Sequence, residues 1–248
     1  MYEYENQVKS LAEIIRNSNN ICLFSGVGIS CASGIPDFRS ADGLYNQKTT
    51  TNYPPETIIS HSFFISHPEL FYEFYKTKML YPDAKPNDAH IFFAELERKG
   101  KNISVVTQNI DGLHQQAGST EVHELHGTVH RNFCTKCGRQ YDLDYVLKSD
   151  GVPYCKDDNG IIKPDVVLYE EQLDENVIMK SIDAIRNADT VIVVGTSLTV
   201  YPAASFVRYY KGSNLILINK SQTSYDDIAK IVINDNAEKV VRLLFDRI

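Results

Sequence analysis

Five short apolar runs constrain the fold of this chain more than any other feature. They occupy residues 21–24, 103–106, 191–194, 215–218 and 231–233. Several are apolar at every position, which is typical of parallel strands with both faces covered by helices. Helical patterns over residues 90–99 and 175–187 fall between the runs. This alternation predicts an α/β fold with a doubly wound parallel sheet, preceded by an amphipathic helix over residues 5–17.

Two segments interrupt this alternation. Residues 41–85 are rich in aromatic side chains, and residues 129–162 contain a group of cysteines. We expect both segments to form a smaller domain, inserted twice into a larger domain that comprises residues 1–40, 86–128 and 163–248. The aromatic side chains are predicted to pack in the core of the small domain; they are Phe63, Phe64, Phe71, Tyr72, Phe74 and Tyr75.

The charge and the absence of targeting segments exclude several classes of protein. With 25 basic and 32 acidic residues the formal net charge is −7, which argues against a nucleic-acid partner. No stretch is apolar and long enough to span a membrane. The N-terminus lacks the pattern of a secretion signal, so a cytoplasmic location is expected. Five cysteines, an odd number, argue against a disulfide framework. The sequence gives no indication of the oligomeric state.

A glycine-containing loop follows the first apolar run. Gly26 and Gly28 form a Gly-x-Gly motif, which allows a tight turn and brings backbone N–H groups close to a pyrophosphate. The match to a dinucleotide-binding motif is incomplete, because Cys31 occupies the position of the third glycine. Taken alone, the motif is weak and favours a plain tight turn.

The residues after this loop strengthen the prediction of a nucleotide site. Arg39 can pair with phosphate, Asp37 can hydrogen-bond a ribose or hold the arginine, and Phe38 can shield a reactive sugar from water. Contacts to the other end of a dinucleotide are expected after the runs at 191–194 and 215–218, at Gly195, Thr196, Ser197 and Asn219.

A second polar loop follows the run at 103–106. It reads Thr-Gln-Asn-Ile-Asp-Gly-Leu-His over residues 107–114, and a His-Gly pair follows at His126. Ligands of open α/β sheets bind at the carboxyl ends of strands. Amides, a carboxylate and a histidine at such a position therefore predict chemistry beside the nucleotide.

Together these motifs resemble the sirtuin family, the NAD-dependent protein lysine deacylases. The likeness rests on the Gly-Val-Gly-Ile-Ser and Gly-Ile-Pro-Asp-Phe-Arg segments, the 107–114 loop, the His-Gly pair, the cysteine group, the Pro-Asp-Val-Val segment at 164–167 and the Gly-Thr-Ser-Leu segment at 195–198. It covers nearly the whole chain and is closest to a bacterial catalytic core. It implies a Rossmann-like domain, a small zinc-binding and helical domain, and a cleft for NAD and acyl-lysine between them.

The resemblance also assigns roles to individual residues. His126 is implied as the catalytic base, which suits an imidazole with an unperturbed pKa of roughly 6.5. Asn109 would orient the nicotinamide ribose and a water, and Gln108 would bind that ribose or help place His126. Ile110 and Asp111 would hold the nicotinamide carboxamide. Further NAD contacts are implied at Gly26, Val27, Gly28, Ser30, Ile35, Asp37, Phe38 and Arg39.

The same resemblance implies a site for acetyl-lysine proteins. Val166, Val167, Tyr169 and Glu170 would pair with the substrate backbone as a strand, facing Thr199 and Val200. Tyr75 and Lys78 stand where members that prefer acidic acyl groups carry a tyrosine and an arginine. Lysine lacks the bidentate fork of arginine, so deacetylation is predicted over desuccinylation. Lys78 is equally consistent with a solvated surface charge.

The cysteine group departs from the family pattern. Cys134 and Cys137 form a good half-site for structural zinc, and Cys155 provides a third thiolate. Asp158 stands where the resemblance implies the fourth cysteine. A carboxylate can also ligate zinc, so either a Cys₃Asp zinc site or a metal-free remnant is expected.

Two further departures lie in the binding segments. Val27 replaces the usual alanine of the glycine loop, and Tyr-Glu-Glu at 169–171 replaces a usual Phe-Gly-Glu, so this segment loses a flexible glycine. Neither change removes a reacting group.

Two alternative functions stay open. Mono-ADP-ribosyl transfer or NAD hydrolysis would keep the fold, because nicotinamide release is common to these reactions and only the acceptor differs. A catalytically silent module that binds NAD or ADP-ribose is supported only by Val27 and Asp158.

Overall fold

The structure is a computed structural model that describes residues 4–38, 43–46 and 52–248. The helices are α1 (Glu5–Asn17), α2 (Pro55–Ile58), α3 (His61–Ser66), α4 (Pro68–Phe74), α5 (Asp88–Arg98), α6 (Leu113–Ala117), α7 (Leu143–Lys148), α8 (Glu175–Asn187) and α9 (Ala237–Phe245). The strands are β1 (Asn20–Ser25), β2 (Asn102–Thr107), β3 (Glu121–Glu124), β4 (Gly127–Cys134), β5 (Gln140–Tyr141), β6 (Ile162–Val166), β7 (Thr190–Val194), β8 (Leu215–Ile218) and β9 (Ile231–Ile233).

Six strands form one parallel sheet in the order β3-β2-β1-β7-β8-β9. The predicted fold class is therefore confirmed, and all five apolar runs are strands of this sheet. The strand order runs outward in both directions from the β1–β7 pair. Such a point of reversal opens a crevice at the carboxyl ends of the two strands, where ligands of this fold class bind.

Alternate residues of the central strands enter two separate cores, because successive side chains of a strand point to opposite faces. On β1, Ile21 and Leu23 pack with α1, α5 and α9, whereas Cys22 and Phe24 pack with α8 and the 3₁₀ helix Ala203–Tyr209. This arrangement explains why the central strands carry apolar residues on both faces. It also makes the sheet a rigid platform for the loops at its edge.

A second, three-stranded sheet has the order β5-β4-β6 and is antiparallel. Its apolar side chains share a buried cluster with α2–α4. All six aromatic residues predicted to form the core of the small domain are buried in this cluster, so that prediction is confirmed. The division of the chain into domains itself stays a prediction.

The sequence did not reveal every strand. β3 lies at the edge of the main sheet and contains mostly polar, partly exposed residues, so it has no apolar run. In the small sheet β5 has only two residues, and the pairing of β4 with β6 is interrupted by a register shift. Among the described residues, no helix has the length and apolar character needed to cross a membrane.

Candidate active site

A cleft of about 1230 Å³ opens at the carboxyl ends of the parallel strands and extends to the small sheet and to Lys78 and Met79 after α4. Ligand sites for molecules of drug size occupy roughly 300–1,000 Å³, so this cleft has room for a dinucleotide and a side chain. The predicted NAD-contacting residues that line it are Gly26, Val27, Gly28, Ile35, Asp37, Phe38, Gln108, Asn109, Ile110, Asp111, His126, Gly195, Thr196, Ser197 and Asn219.

Glycines are required where the loops after β1 and β7 meet. The N–H of Gly28 donates to the carbonyl of Gly195 at 2.8 Å. A Cβ on Gly28 would lie 2.7 Å from the Cα of Gly195, and Gly195 itself has a φ of +63°. Any side chain at either position would push the two loops apart. The Gly-x-Gly motif therefore keeps the crevice narrow at its base, as binding a pyrophosphate through backbone N–H groups requires.

His126 lies between β3 and β4 and faces the cleft. Its Nδ1 is 2.9 Å from the carbonyl oxygen of Gln108. A carbonyl only accepts, so we assign the proton to Nδ1, and Nε2 keeps a free lone pair. Burial lowers the pKa of His126, against the opposing effect of the Gln108 carbonyl. The ring is therefore neutral at pH 7 and can accept a proton.

Gln108 also joins the loops after β2 and β7. Its side-chain amide donates to the hydroxyl of Thr196 at 3.0 Å, and Thr196 is 8% exposed. Gln108 thus orients His126 through its backbone carbonyl and joins the two sides of the crevice through its side-chain amide.

Asn109 and Asp111 are held from below by Ser30. The Ser30 hydroxyl donates to Asp111 Oδ2 at 2.7 Å and accepts from Asn109 Nδ2 at 3.0 Å. The other Asp111 oxygen accepts the N–H of Leu113, the first residue of α6, at 2.9 Å. Asn109 is 7% exposed. These bonds fix a carboxylate and an amide side by side at the floor of the cleft.

Two buried histidines lie under this group. His90 Nε2 is 3.4 Å from the Ser30 hydroxyl, and His114 Nε2 is 2.9 Å from the hydroxyl of Ser25. Their ring centroids are 4.9 Å apart. Burial lowers the pKa of His90 to about 4 even though Asp111 opposes the shift, and burial followed by the proximity of His90 lowers that of His114 well below 6.5. Both rings are therefore neutral. With Ser25 and Ser30 they form a layer of side chains under Asn109 and Asp111, here called the supporting layer.

The predicted peptide side of the cleft is formed by the end of β6 and the loop that follows it. Val166, Val167, Tyr169 and Glu170 line the cleft, as do Val200 on the opposite wall and Lys78 from the end of the α4 region. The N–H of Val167 donates to the carbonyl of His126 at 3.0 Å. The segment predicted to bind the peptide is thus hydrogen-bonded directly to the backbone of the predicted catalytic histidine.

The structure differs from the sequence-based expectations at three site residues. Ser30 is fully buried and supports Asp111 and Asn109 without lining the cleft. Tyr75 is also fully buried, stacked on Phe71 at 5.5 Å, because the turn Tyr75–Met79 directs it into the aromatic core, so it does not reach an acyl chain. Thr199 is exposed and bonded to Ser197 rather than facing the cleft. Arg39 lies outside the described residues.

The four predicted metal ligands converge at one point. One ligand atom from each of Cys134, Cys137, Cys155 and Asp158 lies within 4.8 Å of the others. The Sγ atoms of Cys137 and Cys155 are 3.7 Å apart. A tetrahedron with metal–sulfur bonds of about 2.3 Å has edges of about 3.8 Å. The donor atoms present therefore fit a structural zinc ion.

The surroundings of this cluster also suit a cation with thiolate ligands. Backbone N–H groups of Lys136 and Cys137 point at Cys134 Sγ, at 3.3 and 3.5 Å. A Cβ on Gly160 would lie 2.6 Å from the same sulfur, so only glycine fits there. The Gly160 N–H donates to Asp158 Oδ1 at 2.9 Å and turns this carboxylate oxygen toward the sulfurs.

Sequence reasoning missed the supporting layer of the site. The roles of His90, His114 and Ser25 were missed because the hydrogen bonds that place the two histidines under the site join residues 60 and 89 positions apart in the chain. His130 was also overlooked: it lines the cleft and its Nε2 lies 3.0 Å from the carbonyl of Asp111. The only available signal was the helical face of α5, on which His90 falls among apolar residues.

Comparison with known proteins agrees with this geometry. The family model described as the Sir2 family matches residues 26–202. An NAD-dependent protein deacetylase of Clostridium perfringens is 57% identical over 98% of this chain and 100% of its own length. One of Staphylococcus epidermidis is 44% identical, covering 94% of this chain and 95% of its own. A solved structure of Sir2 with a p53 peptide and NAD⁺ has a TM-score of 0.84 at 39% identity, covering 96% of this chain and 97% of that one.

Proposed function

The chain belongs to the Sir2 family, and we propose that it is an NAD-dependent protein lysine deacetylase. The reaction consumes acetyl-lysine, NAD and a water, and yields lysine, nicotinamide and O-acetyl-ADP-ribose. The single observation that carries the proposal is the position of His126. A neutral histidine with a free Nε2 lies between the crevice of the parallel sheet and the edge predicted to bind the peptide.

The residues of the crevice are proposed to hold NAD with its nicotinamide end at Asn109 and Asp111. The narrow base formed by Gly28 and Gly195 would hold the pyrophosphate, and Asn219 would lie at the adenosine end. Asp111 Oδ1 and Oδ2 each accept one hydrogen bond in the structure. A carboxylate has about four acceptor positions, so Asp111 retains capacity for a carboxamide N–H.

His126 is proposed to act as a general base. When bound, NAD supplies a ribose carbon that accepts the acetyl oxygen as nicotinamide departs. His126 Nε2 then takes the proton of a ribose hydroxyl, while Nδ1 keeps its bond to Gln108. General bases of this kind contribute about 10²–10⁴-fold to rate. Val166 and Val167 exclude water from the lysine stem, which keeps the reacting groups in an apolar surrounding.

Acetyl-lysine is proposed as the preferred acyl substrate. Tyr75 is buried in the aromatic core, so it offers no hydroxyl to a longer acidic chain. Lys78 lines the cleft but lacks a planar fork for a carboxylate. Peptides that are matched except for acetyl or succinyl groups test this directly. A higher kcat/KM for the succinyl peptide would contradict the preference.

A zinc ion is proposed at the cysteine cluster, held by Cys134, Cys137, Cys155 and Asp158. Its role would be to hold β4 and the following loops together, since structural zinc contributes directly to folding. All five cysteines are free thiols, a state that a reducing compartment maintains. This agrees with a cytoplasmic location, which we also propose.

Mass spectrometry of an acetyl-lysine peptide, incubated with the protein with and without NAD, tests the function. We expect loss of acetyl only with NAD, and one O-acetyl-ADP-ribose per lysine released. Nicotinamide release without deacetylation would instead indicate ADP-ribosyl transfer or NAD hydrolysis. Binding of NAD without any turnover of acetyl, propionyl or succinyl peptides would indicate a silent binding module.

A further inference from the structure

The predicted peptide edge is attached to the aromatic helices by backbone hydrogen bonds. Residues 166–171, here called the peptide segment, form a parallel bridge between Tyr169 and Ser60. The N–H of Tyr169 donates to the carbonyl of Ile59 at 3.1 Å, and its carbonyl accepts the N–H of His61 at 3.0 Å. The segment is therefore hydrogen-bonded to His126 through Val167 and to the residues at the start of α3 through Tyr169.

Glu170 adopts a backbone conformation that its side chain does not favour. Its φ is +75°, in the left-handed region that residues with a Cβ rarely adopt. Its carboxylate is bonded at both oxygens. Oε2 accepts the N–H of Ser62 at 2.8 Å, and Oε1 accepts the Ser62 hydroxyl at 3.0 Å. The two hydrogen bonds from Ser62 to the Glu170 carboxylate thus hold Glu170 in this left-handed conformation.

These bonds complete the start of α3. The first N–H groups of a helix have no partner within it and need one from outside. Those of His61 and Ser62 are satisfied by the peptide segment, and that of Phe63 by the hydroxyl of Ser60 at 3.3 Å. Phe63 and Phe64 are buried in the aromatic core. The segment is therefore anchored to a helix that cannot shift without disturbing this core.

Glu171 closes the segment on itself. Its carboxylate accepts the N–H of Leu168 at 2.8 Å, contacts His61 Nδ1 at 2.7 Å and pairs with Lys163 at 3.0 Å. Burial alone would raise the pKa of Glu171, but the Leu168 N–H, His61 and Lys163 together hold it below its usual range. Glu171 thus stays ionised, and Glu170 is left as the separate link to Ser62.

We infer that Glu170 is a positioning residue that clasps the peptide segment to α3 and so pre-forms the edge on which the acetyl-lysine peptide binds. This inference rests on the proposed function. Val166 and Val167 line the cleft in the same segment. A segment already fixed in its bound shape does not lose freedom when the peptide binds. The two hydrogen bonds between Glu170 and Ser62 are here called the clasp. Their loss should therefore weaken peptide binding more than it slows the chemical steps.

Four variants separate the clasp from backbone strain. Glu170→Gly removes the carboxylate and also the cost of the left-handed backbone, whereas Glu170→Ala removes the carboxylate alone. Glu170→Gln keeps an oxygen that can accept from Ser62. Glu56→Ala, on the exposed face of α2 in the same region, is the matched control. Steady-state kinetics with an acetyl-lysine peptide at saturating NAD gives kcat and KM for each.

For Glu170→Gly and Glu170→Ala we expect the peptide KM to rise about threefold to tenfold, the range that one or two hydrogen bonds provide, with kcat within about twofold. Glu170→Gln should recover part of the loss, and Glu56→Ala should match the wild type. A wild-type KM in Glu170→Gly would overturn the inference, because the strain-free variant would then bind peptide without the clasp.

Amide hydrogen exchange tests the clasp without any substrate. Glu170→Gly should speed exchange in residues 59–64 and 166–171, while β8 exchanges as in the wild type. Unchanged exchange rates in both segments would contradict the clasp, irrespective of the kcat and KM measured for the variant. Absence of deacetylation by the wild-type protein would refute the proposed function, and exchange would still decide on the clasp.

Discussion

The catalytic group and the cysteine cluster are both convergent sets of polar side chains, but they are held in different ways. Asn109, Asp111 and His126 each find hydrogen-bond partners in the protein itself. Cys134 and Asp158 also accept backbone N–H groups, but the three thiols and the carboxylate converge on a common centre at distances that fit an ion. The first set is arranged by hydrogen bonds within the polypeptide, whereas the second also has the geometry to hold a cation.

Substitutions in the catalytic group and in the cysteine cluster should therefore affect different properties of the protein. Removing a side chain from the catalytic group should impair the reaction and leave the fold intact, because the remaining partners still satisfy each other or meet water in the cleft. Removing a ligand from the cysteine cluster should impair metal binding and stability first. Activity would then be lost only as a consequence.

The largest effect is expected for His126→Ala. Deacetylation should fall by about 10²–10⁴-fold because the general base is lost, while thermal melting stays near that of the wild type. The control is His123→Ala, three residues earlier on β3 and outside the cleft. Peptide turnover followed by mass spectrometry measures both. Equal losses in the two variants would show that the histidine acts through the fold.

A smaller effect, on metal rather than on chemistry, is expected at Asp158. Asp158→Ala should lower zinc affinity about tenfold or more, since one of four ligands is lost, whereas Asp158→Cys should bind zinc at least as tightly as the wild type. Competition with a chromophoric chelator measures the affinity, and elemental analysis gives the stoichiometry. Equal zinc affinity of Asp158→Ala and the wild type would exclude the carboxylate as a ligand.

Ser30→Ala tests how the protein holds the catalytic group. Asp111 would lose a donor and Asn109 an acceptor, so both become free to turn. We expect kcat/KM to fall about tenfold, as displacement of a reacting geometry does. Ser33→Ala, in the same loop but bonded to Asn87, serves as the control. An unchanged kcat/KM in Ser30→Ala would mean that the bound substrates alone order the site.

The smallest effect concerns acid stability. The pKa of His90 is lowered to about 4 by burial, whereas an unfolded histidine titrates near 6.5. The unfolded state therefore binds more protons below pH 6.5, and stability is lost as the pH falls from 6.5 toward 4. The slope approaches about 1.4 kcal/mol per pH unit for one such histidine. Melting curves of His90→Asn should show a shallower loss; a loss as steep as that of the wild type would contradict this account.

The main sheet could be predicted because its strands are buried on both faces. A strand such as β7 is buried at every position and apolar at all but its first, and its boundaries were predicted to within one residue. β3 was missed because it is an edge strand whose residues are partly exposed and polar. The antiparallel strands of the small sheet were missed because β5 has only two residues, a register shift interrupts the pairing of β4 with β6, and β4 lacks a continuous apolar pattern.

The candidate site shows the same division. Residues that directly follow a strand, such as Asn109 and Gly195, were predicted, because a strand end fixes where its next residues lie. Ser30 and His90 were not assigned their supporting role, since their partners are remote in sequence. Tyr75 was predicted both in the aromatic core and at the acyl site, and the structure places it in the core, at the start of a π-helical turn. Neither the left-handed backbone of Glu170 nor its bond to Ser62 could be predicted from local sequence.

The most direct test of the central claim is the fate of labelled nicotinamide in His126→Ala. In the proposed reaction nicotinamide departs before His126 takes the ribose proton, so the variant should still exchange labelled nicotinamide into NAD in the presence of an acetyl-lysine peptide. Deacetylation by the same sample should be lost. Loss of exchange and deacetylation to the same extent, or retention of both, would contradict the role of His126 as the base of the second stage.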